Sequence, residues 1–384
     1  MTQASKAGVN VFADLTGEGS LSETARTSVQ ALQVRGVPFT YNELLFPYAM
    51  YRDGIGLDAG YGGLPTGMIY PANLLCYNLH LFPTFPEARL AEIRANRYTM
   101  ALWVWEMPDV PEVWIPEFSR LDEIWCPSRF VRDSFVKITQ TPVVVVPHVV
   151  DLLPQTAGRE AFDLPRDRVI FLFTFSAASG DGRKNPWSVI AAYKRAFGAS
   201  NAADKPLLVI KVQHSAYFPE LTAALQAALD EVGGRLITET LSRQQMHDLY
   251  YNVDCYVSLH RAEAFGLALA EAMAAGKPVI ATAYSGTREF MMPDNCYWVD
   301  YQLRGVAPED HRYRPEMLEH FRPGMIWAEP DIDQAAGYMV EVATNPAPGL
   351  TLGARAAAHI RQHFSPDAIG AIMEMRIRRA CLGG

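Results

Sequence analysis

Cys255-Tyr-Val-Ser-Leu-His260, Glu263-Ala-Phe-Gly-Leu-Ala-Leu-Ala-Glu271 and Pro278-Val-Ile-Ala-Thr282 follow one another in this chain, and their order decides the fold. The first run is apolar and reads as a buried strand. From Leu267 to Ala275 the chain uses strong helix formers, Gly276 supplies a C-terminal stop, and the third run is again a strand. Such a strand–loop–helix–strand unit turns its loop to the carboxyl end of a parallel sheet, where ligands of these folds bind. Gly266 admits a ligand close to the backbone, and the N–H groups opening the helix attract phosphate. Glu263 and Glu271 are acceptor-only carboxylates beside that anion site, and they suit hydroxyls: a ribose at one end and a sugar ring at the other. The pattern asks for a nucleotide sugar. A bare pair of glutamates is also what a solvated helix carries. Glu271, however, lies among Ala, Leu, Met and Gly, where an unpaired charge is costly to bury.

The same alternation extends in both directions. Val9–Ala13 reads as a strand, followed by a loop with Gly17 and Gly19, a helix from Ser22 to Gln33, a stop at Gly36 and a strand from Val37. Further strands are expected at Leu74–Tyr77, Thr99–Trp105, Glu123–Cys126 and Pro142–Val146, with helices at 88–96 and 128–137. The stretch 147–166 is proline-bearing and aperiodic, and reads as a domain linker. Strands at Arg168–Thr174, Pro206–Val212 and Leu236–Thr238 then alternate with helices at 185–197, 220–232 and 242–252. Two helices, 354–364 and 366–381, close the chain. The expected fold class is α/β, with two doubly wound Rossmann-like domains, 1–152 and 166–364, facing each other across a cleft. The terminal helix at 365–384 is expected to pack back on the first domain.

Length and composition agree with that picture. The 384 residues exceed one ordinary core and are 49% apolar and 20% charged, a globular composition. A net charge of −8 argues against nucleic acid as a partner. No apolar run approaches the roughly 20 residues of a membrane helix, and Met1–Gly19 has no secretory apolar region. The five cysteines are scattered, and Cys76, Cys126 and Cys255 sit in apolar runs as reduced core residues. The five cysteines show no metal-ligand spacing, and no metal is expected. The reading is a cytoplasmic protein, with peripheral contact at the cytoplasmic face of a membrane left open.

Ser179-Gly-Asp-Gly-Arg-Lys-Asn-Pro186 follows the first strand of the second half and precedes a helix. Arg183 offers a planar fork and Lys184 a point charge, a match for a diphosphate; an exposed basic loop is the plainer alternative. Taken together, Glu263 and Glu271 (E-x7-E), Arg183-Lys184-Asn185-Pro186 and Ser285-Gly-Thr-Arg-Glu289 resemble the family-4 retaining glycosyltransferases of the GT-B fold. The first half resembles bacterial members through Glu23-x-x-Arg26, Trp103-Val-Trp-Glu-Met-Pro108 and Pro127-Ser-Arg-Phe130. The resemblance implies that Glu271 holds the ribose and Glu263 approaches the donor sugar. The backbone of Phe265, Gly266 and Leu267 then faces the phosphates with Arg183 and Lys184, while Gly17 and Gly19 edge the cleft. It implies no cofactor and no metal besides the nucleoside-diphosphate-sugar donor, and a saccharide, lipid-linked or protein-linked acceptor in bacterial polysaccharide, glycolipid or glycoconjugate synthesis. Same-face attack with retained configuration is the implied chemistry. This chain departs from many relatives in having Ala264 where they have Gly.

Weaker candidates remain. His80, after the strand at Leu74, is a candidate for the reacting centre, Glu106 for the acceptor and Lys211, at a strand end, for the donor. The tryptophans at 103, 105, 114 and 125 read mainly as core, with acceptor stacking as the alternative. Arg376, Arg378 and Arg379 read as a solvated end or a contact for anionic lipid. Rival functions are a nucleotide-sugar epimerase and a catalytically silent nucleotide-binding scaffold. A nicotinamide oxidoreductase is disfavoured because no G-x-G-x-x-G follows a strand.

Overall fold

The computed structural model describes residues 7–17, 19–45, 63–199 and 205–382; Glu18 and the start of the chain lie outside them. The chain divides into unit 1, Met1–Asp151 with Gln362–Gly384, and unit 2, Leu152–Arg361.

Unit 1 begins with β1 (Val9–Ala13), α1 (Ser20–Val34), β2 (Phe39–Glu43), β3 (Ala72–Leu75) and α2 (Glu87–Arg94). It continues with β4 (Tyr98–Leu102), α3 (Ile115–Phe118), β5 (Glu123–Cys126), α4 (Arg129–Phe135) and β6 (Val143–Val145). The strands form one parallel sheet in the order β2-β1-β3-β4-β5-β6. β1, β3 and β5 are buried at every position, as expected of parallel strands covered on both faces. The expected strand Thr99–Trp105 ends earlier, at Leu102. Trp103 still donates its N–H to the Trp125 carbonyl at 2.8 Å, but Val104 N–H turns to Asn78 Oδ1, also at 2.8 Å, and the ladder stops.

Unit 2 holds β7 (Ile170–Ser176), α5 (Asp181–Lys184), α6 (Pro186–Phe197), β8 (Leu207–Gln213), α7 (Pro219–Asp230), β9 (Arg235–Ile237) and α8 (Arg243–Asn252). Then come β10 (Cys255–Ser258), α9 (Leu267–Ala274), β11 (Val279–Thr282) and β12 (Tyr297–Val299). The parallel order is β12-β11-β10-β7-β8-β9, the dinucleotide-fold arrangement, in which strand order reverses between β7 and β10. Local chemistry agrees with the boundaries. Ser242 and Gln245 close a capping box on α8, and Pro186 opens α6 behind an Asn185 cap. The stretch read as a linker is tied into this unit from Leu152 onward: Thr156 N–H donates to Asp248 Oδ1 at 2.7 Å, and Arg159 Nη2 to Asp254 Oδ2 at 2.7 Å.

An antiparallel hairpin, β13 (Tyr301–Gly305) and β14 (Ile326–Pro330), follows β12 and carries two 3-10 turns between its strands. Sequence reading had no strand or helix here, because the segment repeats neither a strand nor a helix period. Two further helices, α10 (Ile332–Thr344) and α11 (Pro346–His363), come next; the second starts eight residues before its expected start at 354. Finally α12 (Pro366–Cys381), capped by Ser365, returns to unit 1 and packs on α1. Gly370 makes that approach possible: a Cβ there would lie 2.8 Å from the Ala31 carbonyl oxygen. Arg35 reaches Asp367 and Glu374, each at 2.9 Å. Among the described residues, no helix is long and apolar enough to cross a membrane.

Candidate active site

The reversal of strand order in unit 2 is where a fold of this kind opens a crevice at the carboxyl ends of its strands. Arg183 and Lys184 leave β7, and Glu263 leaves β10, at that point. Asn185 joins the two loops. It adopts the left-handed conformation at φ 56°, its Oδ1 accepts the Ser188 N–H, and its Nδ2 donates to the Leu259 carbonyl at 2.8 Å. Lys184 Nζ lies 2.5 Å from Glu263 Oε1, and Arg183 Nη1 lies 3.3 Å from Oε2 while donating to the Ala262 carbonyl at 3.0 Å. With Arg183 only 3% exposed and Glu263 only 6%, the plainer reading of an exposed basic loop is wrong. Burial by itself pushes the Glu263 carboxyl up, but the Lys184 ammonium and then the Arg183 guanidinium overcome it and hold the group at about 2. His260, packed behind, is driven down to about 4 by burial and stays neutral near pH 7.

The Glu263 backbone is held as firmly as its side chain. Its N–H donates to Ser285 Oγ at 2.8 Å and its carbonyl accepts the Gly286 N–H at 2.8 Å. A Cβ at Gly286 would fall 1.9 Å from the Ala264 carbonyl oxygen, which explains the glycine in Ser285-Gly-Thr. Ala264 is itself buried, so the departure from glycine there is accommodated. Gly266 caps α9 at φ 90°, and a Cβ on it would meet Thr287 Cγ2 at 2.7 Å. Phe265 packs against Phe290 with ring centroids 5.0 Å apart, and Leu267 is the first residue of α9. Glu271 lies on α9 and is half-buried rather than fully buried. Its carboxylate hydrogen-bonds the Tyr250 hydroxyl, which burial foremost and this charge next raise well above the usual phenol range. Tyr256, bonded to Thr174 Oγ1 at 3.0 Å, feels both glutamates.

Lys211 does not end its strand. It is an interior residue of β8, buried and in register with Thr174. Beyond it, His214 takes φ 61° and its Nδ1 sits 2.8 Å from Ser176 Oγ.

In unit 1 the strand order reverses between β1 and β3. Two sequence-predicted loops leave the sheet there. After β1, Asp14 Oδ1 accepts from Thr16 N–H at 2.9 Å and Gly17 N–H at 3.1 Å. Arg26 donates to the carbonyls of Leu15 and Gly17 at 2.9 and 2.8 Å and is braced by Glu23 at 3.0 Å. Glu23-x-x-Arg26 therefore shapes the loop carrying Gly17, and Gly19 precedes α1 as its cap. After β3, His80 occupies a 3-10 turn with its Nδ1 2.9 Å from Asn78 Nδ2. Glu106 is half-buried in the loop past β4, four residues beyond the strand end rather than at it. Trp103, Trp105, Trp114 and Trp125 are all buried. Arg376 pairs with the buried Glu123 carboxylate on β5, whereas Arg378 stays exposed beside Glu374, four residues back on α12, as a solvated end would.

Sequence reading missed the residues around Arg183. Arg261 donates to the Gly182 carbonyl at 2.7 Å, and Arg314, from the hairpin insertion, donates to the Ala177 carbonyl while its guanidinium stacks 4.0 Å from the Phe218 ring centroid. Neither belongs to a spaced pattern, and their partners are 79 and 137 positions away.

Comparison with known proteins supplies independent findings. Residues 234–300 match the family model described as glycosyl transferases group 1; the match contains Glu263, Glu271 and Ser285–Glu289. No curated protein matches significantly in sequence. Among solved structures, sucrose-phosphate synthase from Thermosynechococcus elongatus is similar at TM-score 0.68 and 16% identity, covering 98% of this chain and 100% of that one. HepE of Anabaena, determined with UDP and glucose, is similar at 0.64 and 14%, covering 97% and 100%. A glycosyltransferase from Rickettsia africae is similar at 0.64 and 12%, covering 98% and 100%. At these identities the likeness shows the fold, which is GT-B. A glycosyl transferases group 1 segment on a GT-B fold supports a glycosyltransferase.

Proposed function

We propose that the protein is a retaining glycosyltransferase that moves a sugar from a nucleoside-diphosphate donor to an acceptor hydroxyl. The observation carrying this reading is the cluster at the strand-order reversal of unit 2. Two cations, Arg183 and Lys184, and one carboxylate, Glu263, are held together there within 3.3 Å. The segment containing Glu263 is the one that matches glycosyl transferases group 1, and HepE, which shares the fold, binds UDP and glucose in its structure.

The chemistry follows from charge. Breaking the bond between the anomeric carbon and the diphosphate leaves developing negative charge on the leaving oxygens. Arg183, Lys184 and the N–H groups opening α9 stabilise that charge electrostatically, which needs no metal ion. Glu263 holds both cations and accepts from the donor sugar's hydroxyls. Glu271, on the same helix, accepts from the ribose. The acceptor hydroxyl attacks the face the diphosphate leaves, and its proton passes to the departing diphosphate oxygen, so configuration is retained. Gly17 and Gly19 of unit 1 are assigned to the donor edge, His80 to the reacting centre and Glu106 to the acceptor, and Lys211 of unit 2 to the donor. The acceptor is a saccharide, lipid-linked or protein-linked hydroxyl in bacterial glycoconjugate synthesis.

Calorimetry against UDP, GDP, dTDP and ADP in EDTA, followed by mass spectrometry of the products from the matching sugar donors, tests the reading. One selectively bound diphosphate and an acceptor-dependent product that keeps the donor's anomeric configuration are expected. Binding of none of the four refutes the donor assignment, and turnover that requires added metal refutes the electrostatic account.

A further inference from the structure

The hairpin insertion 301–330 is built onto the Arg183 loop by charged groups that the chemistry above does not use. Arg261, two residues before Glu263, is their hub. Its N–H donates to the Arg183 carbonyl at 2.9 Å and its Nη1 to the Gly182 carbonyl at 2.7 Å. On the other side it forks onto Glu329 of β14, Nε to Oε2 at 2.8 Å and Nη2 to Oε1 at 3.2 Å. Asp310 stands 3.5 Å away. Arg304 of β13 closes the ring, bonding Glu329 at 2.6 Å and both Asp310 oxygens at 2.7 and 2.6 Å. Trp327, fully buried, lies beneath both guanidiniums at 5.4 and 5.6 Å. The insertion has no slack against the loop: a Cβ at Gly182 would lie 2.4 Å from the Asp310 carbonyl oxygen.

We propose that Arg261 is a positioning residue, through which the 301–330 insertion sets the Arg183-Lys184 turn against Glu263. Two parallel bonds from a rigid guanidinium fix direction as well as distance, which a lysine ammonium cannot reproduce. Arg261→Lys therefore keeps the charge and releases the turn. Its consequence for diphosphate binding rests on the function proposed above; its consequence for the Lys184 amine does not.

The experiment has two readouts on the full chain. The first is competitive labelling of lysines with acetic anhydride and mass spectrometry, without ligand and well below the melting temperature. Lys184, now paired with Glu263 and about 20% exposed at its side chain, should label several-fold faster in Arg261→Lys, while Lys194 and Lys205 keep their rates. The second is calorimetry with the nucleoside diphosphate that the wild type binds and with the matching nucleoside. The variant should lose about tenfold in diphosphate affinity, the scale of one charge-assisted hydrogen bond, with nucleoside affinity unchanged. Glu329→Gln, on the half-exposed partner, should move both readouts the same way and stands in should Arg261→Lys fail to fold. Unchanged Lys184 labelling in a folded variant overturns the proposal. So does an equal loss for nucleoside and diphosphate. Changed labelling in a chain that binds no nucleotide overturns the function instead and leaves the positioning role standing.

Discussion

Replacing Glu263 with glutamine removes one negative charge and little volume from a buried site holding two cations. The wild-type carboxyl falls from 4.5 to about 2 on folding, and one unit is worth about 1.4 kcal/mol, so ionised Glu263 contributes about 3 kcal/mol. For a unit of this size each kcal/mol shifts the melting temperature by about 2–4 °C, and Glu263→Gln should melt roughly 6–12 °C lower at pH 7.5. The sign with pH follows from a folded value below the unfolded one. The contribution is complete above about pH 4.5 and disappears as pH falls towards 2, so the two proteins should converge in acid. Differential scanning calorimetry from pH 8 down to about pH 2 reads this directly, and binding supplies a second axis. Without the carboxylate, Lys184 and Arg183 lose a competitor for phosphate, so nucleoside-diphosphate affinity should hold or rise while sugar transfer collapses. A melting shift under 2 °C at pH 7.5 would refute the idea that these cations are held by Glu263. A parallel loss of affinity and transfer would refute its separation from phosphate binding.

Other outcomes follow from the same geometry. Gly286→Ala places a methyl 1.9 Å from a backbone oxygen that cannot move without the Glu263 loop; the expected loss exceeds about 3 kcal/mol, read as a lower denaturant midpoint or as insoluble protein. Glu271→Ala should weaken nucleotide binding by roughly ten- to a hundredfold in calorimetry, the worth of about 1.5–3 kcal/mol for a charge-assisted bond, and should also lower the melting temperature because it takes a partner from the buried Tyr250 hydroxyl. Arg183→Ala should harm diphosphate binding far more than nucleoside binding, and equal losses would contradict its role. Burial holds His260 at about 4, below its usual 6.5. A histidine kept neutral in the fold destabilises it as the unfolded chain protonates, so stability should fall between about pH 6.5 and pH 4, and His260→Gln should flatten that slope in pH-dependent denaturation.

Much of this molecule is written in short stretches of its chain. Central strands of the two parallel sheets, such as Ile170–Ser176 and Val279–Thr282, are largely apolar runs. Asn185-Pro186, Ser242 with Gln245 and Ser365-Pro366 mark helix starts within a residue of where they occur. Such signals are local, because strand burial and capping depend on neighbours a few positions apart. The same locality brought Glu263, Gly266 and Glu271 to notice as one constellation. It failed where partners are distant. The hairpin at 301–330 has no period because its residues face carboxylates, guanidiniums and a tryptophan rather than a single apolar layer. The short Tyr297–Val299 strand and the early stop of β4 were decided by what pairs beside them. Tertiary structure alone decided that Arg183 and Lys184 are bound to Glu263, that Arg376 serves Glu123, and that Gly182 and Gly286 are glycines because another backbone passes where a methyl would sit. The physical reason is range. Periodicity and capping act within a turn or a strand, whereas charge pairing and close backbone approach join residues that only the completed fold brings together.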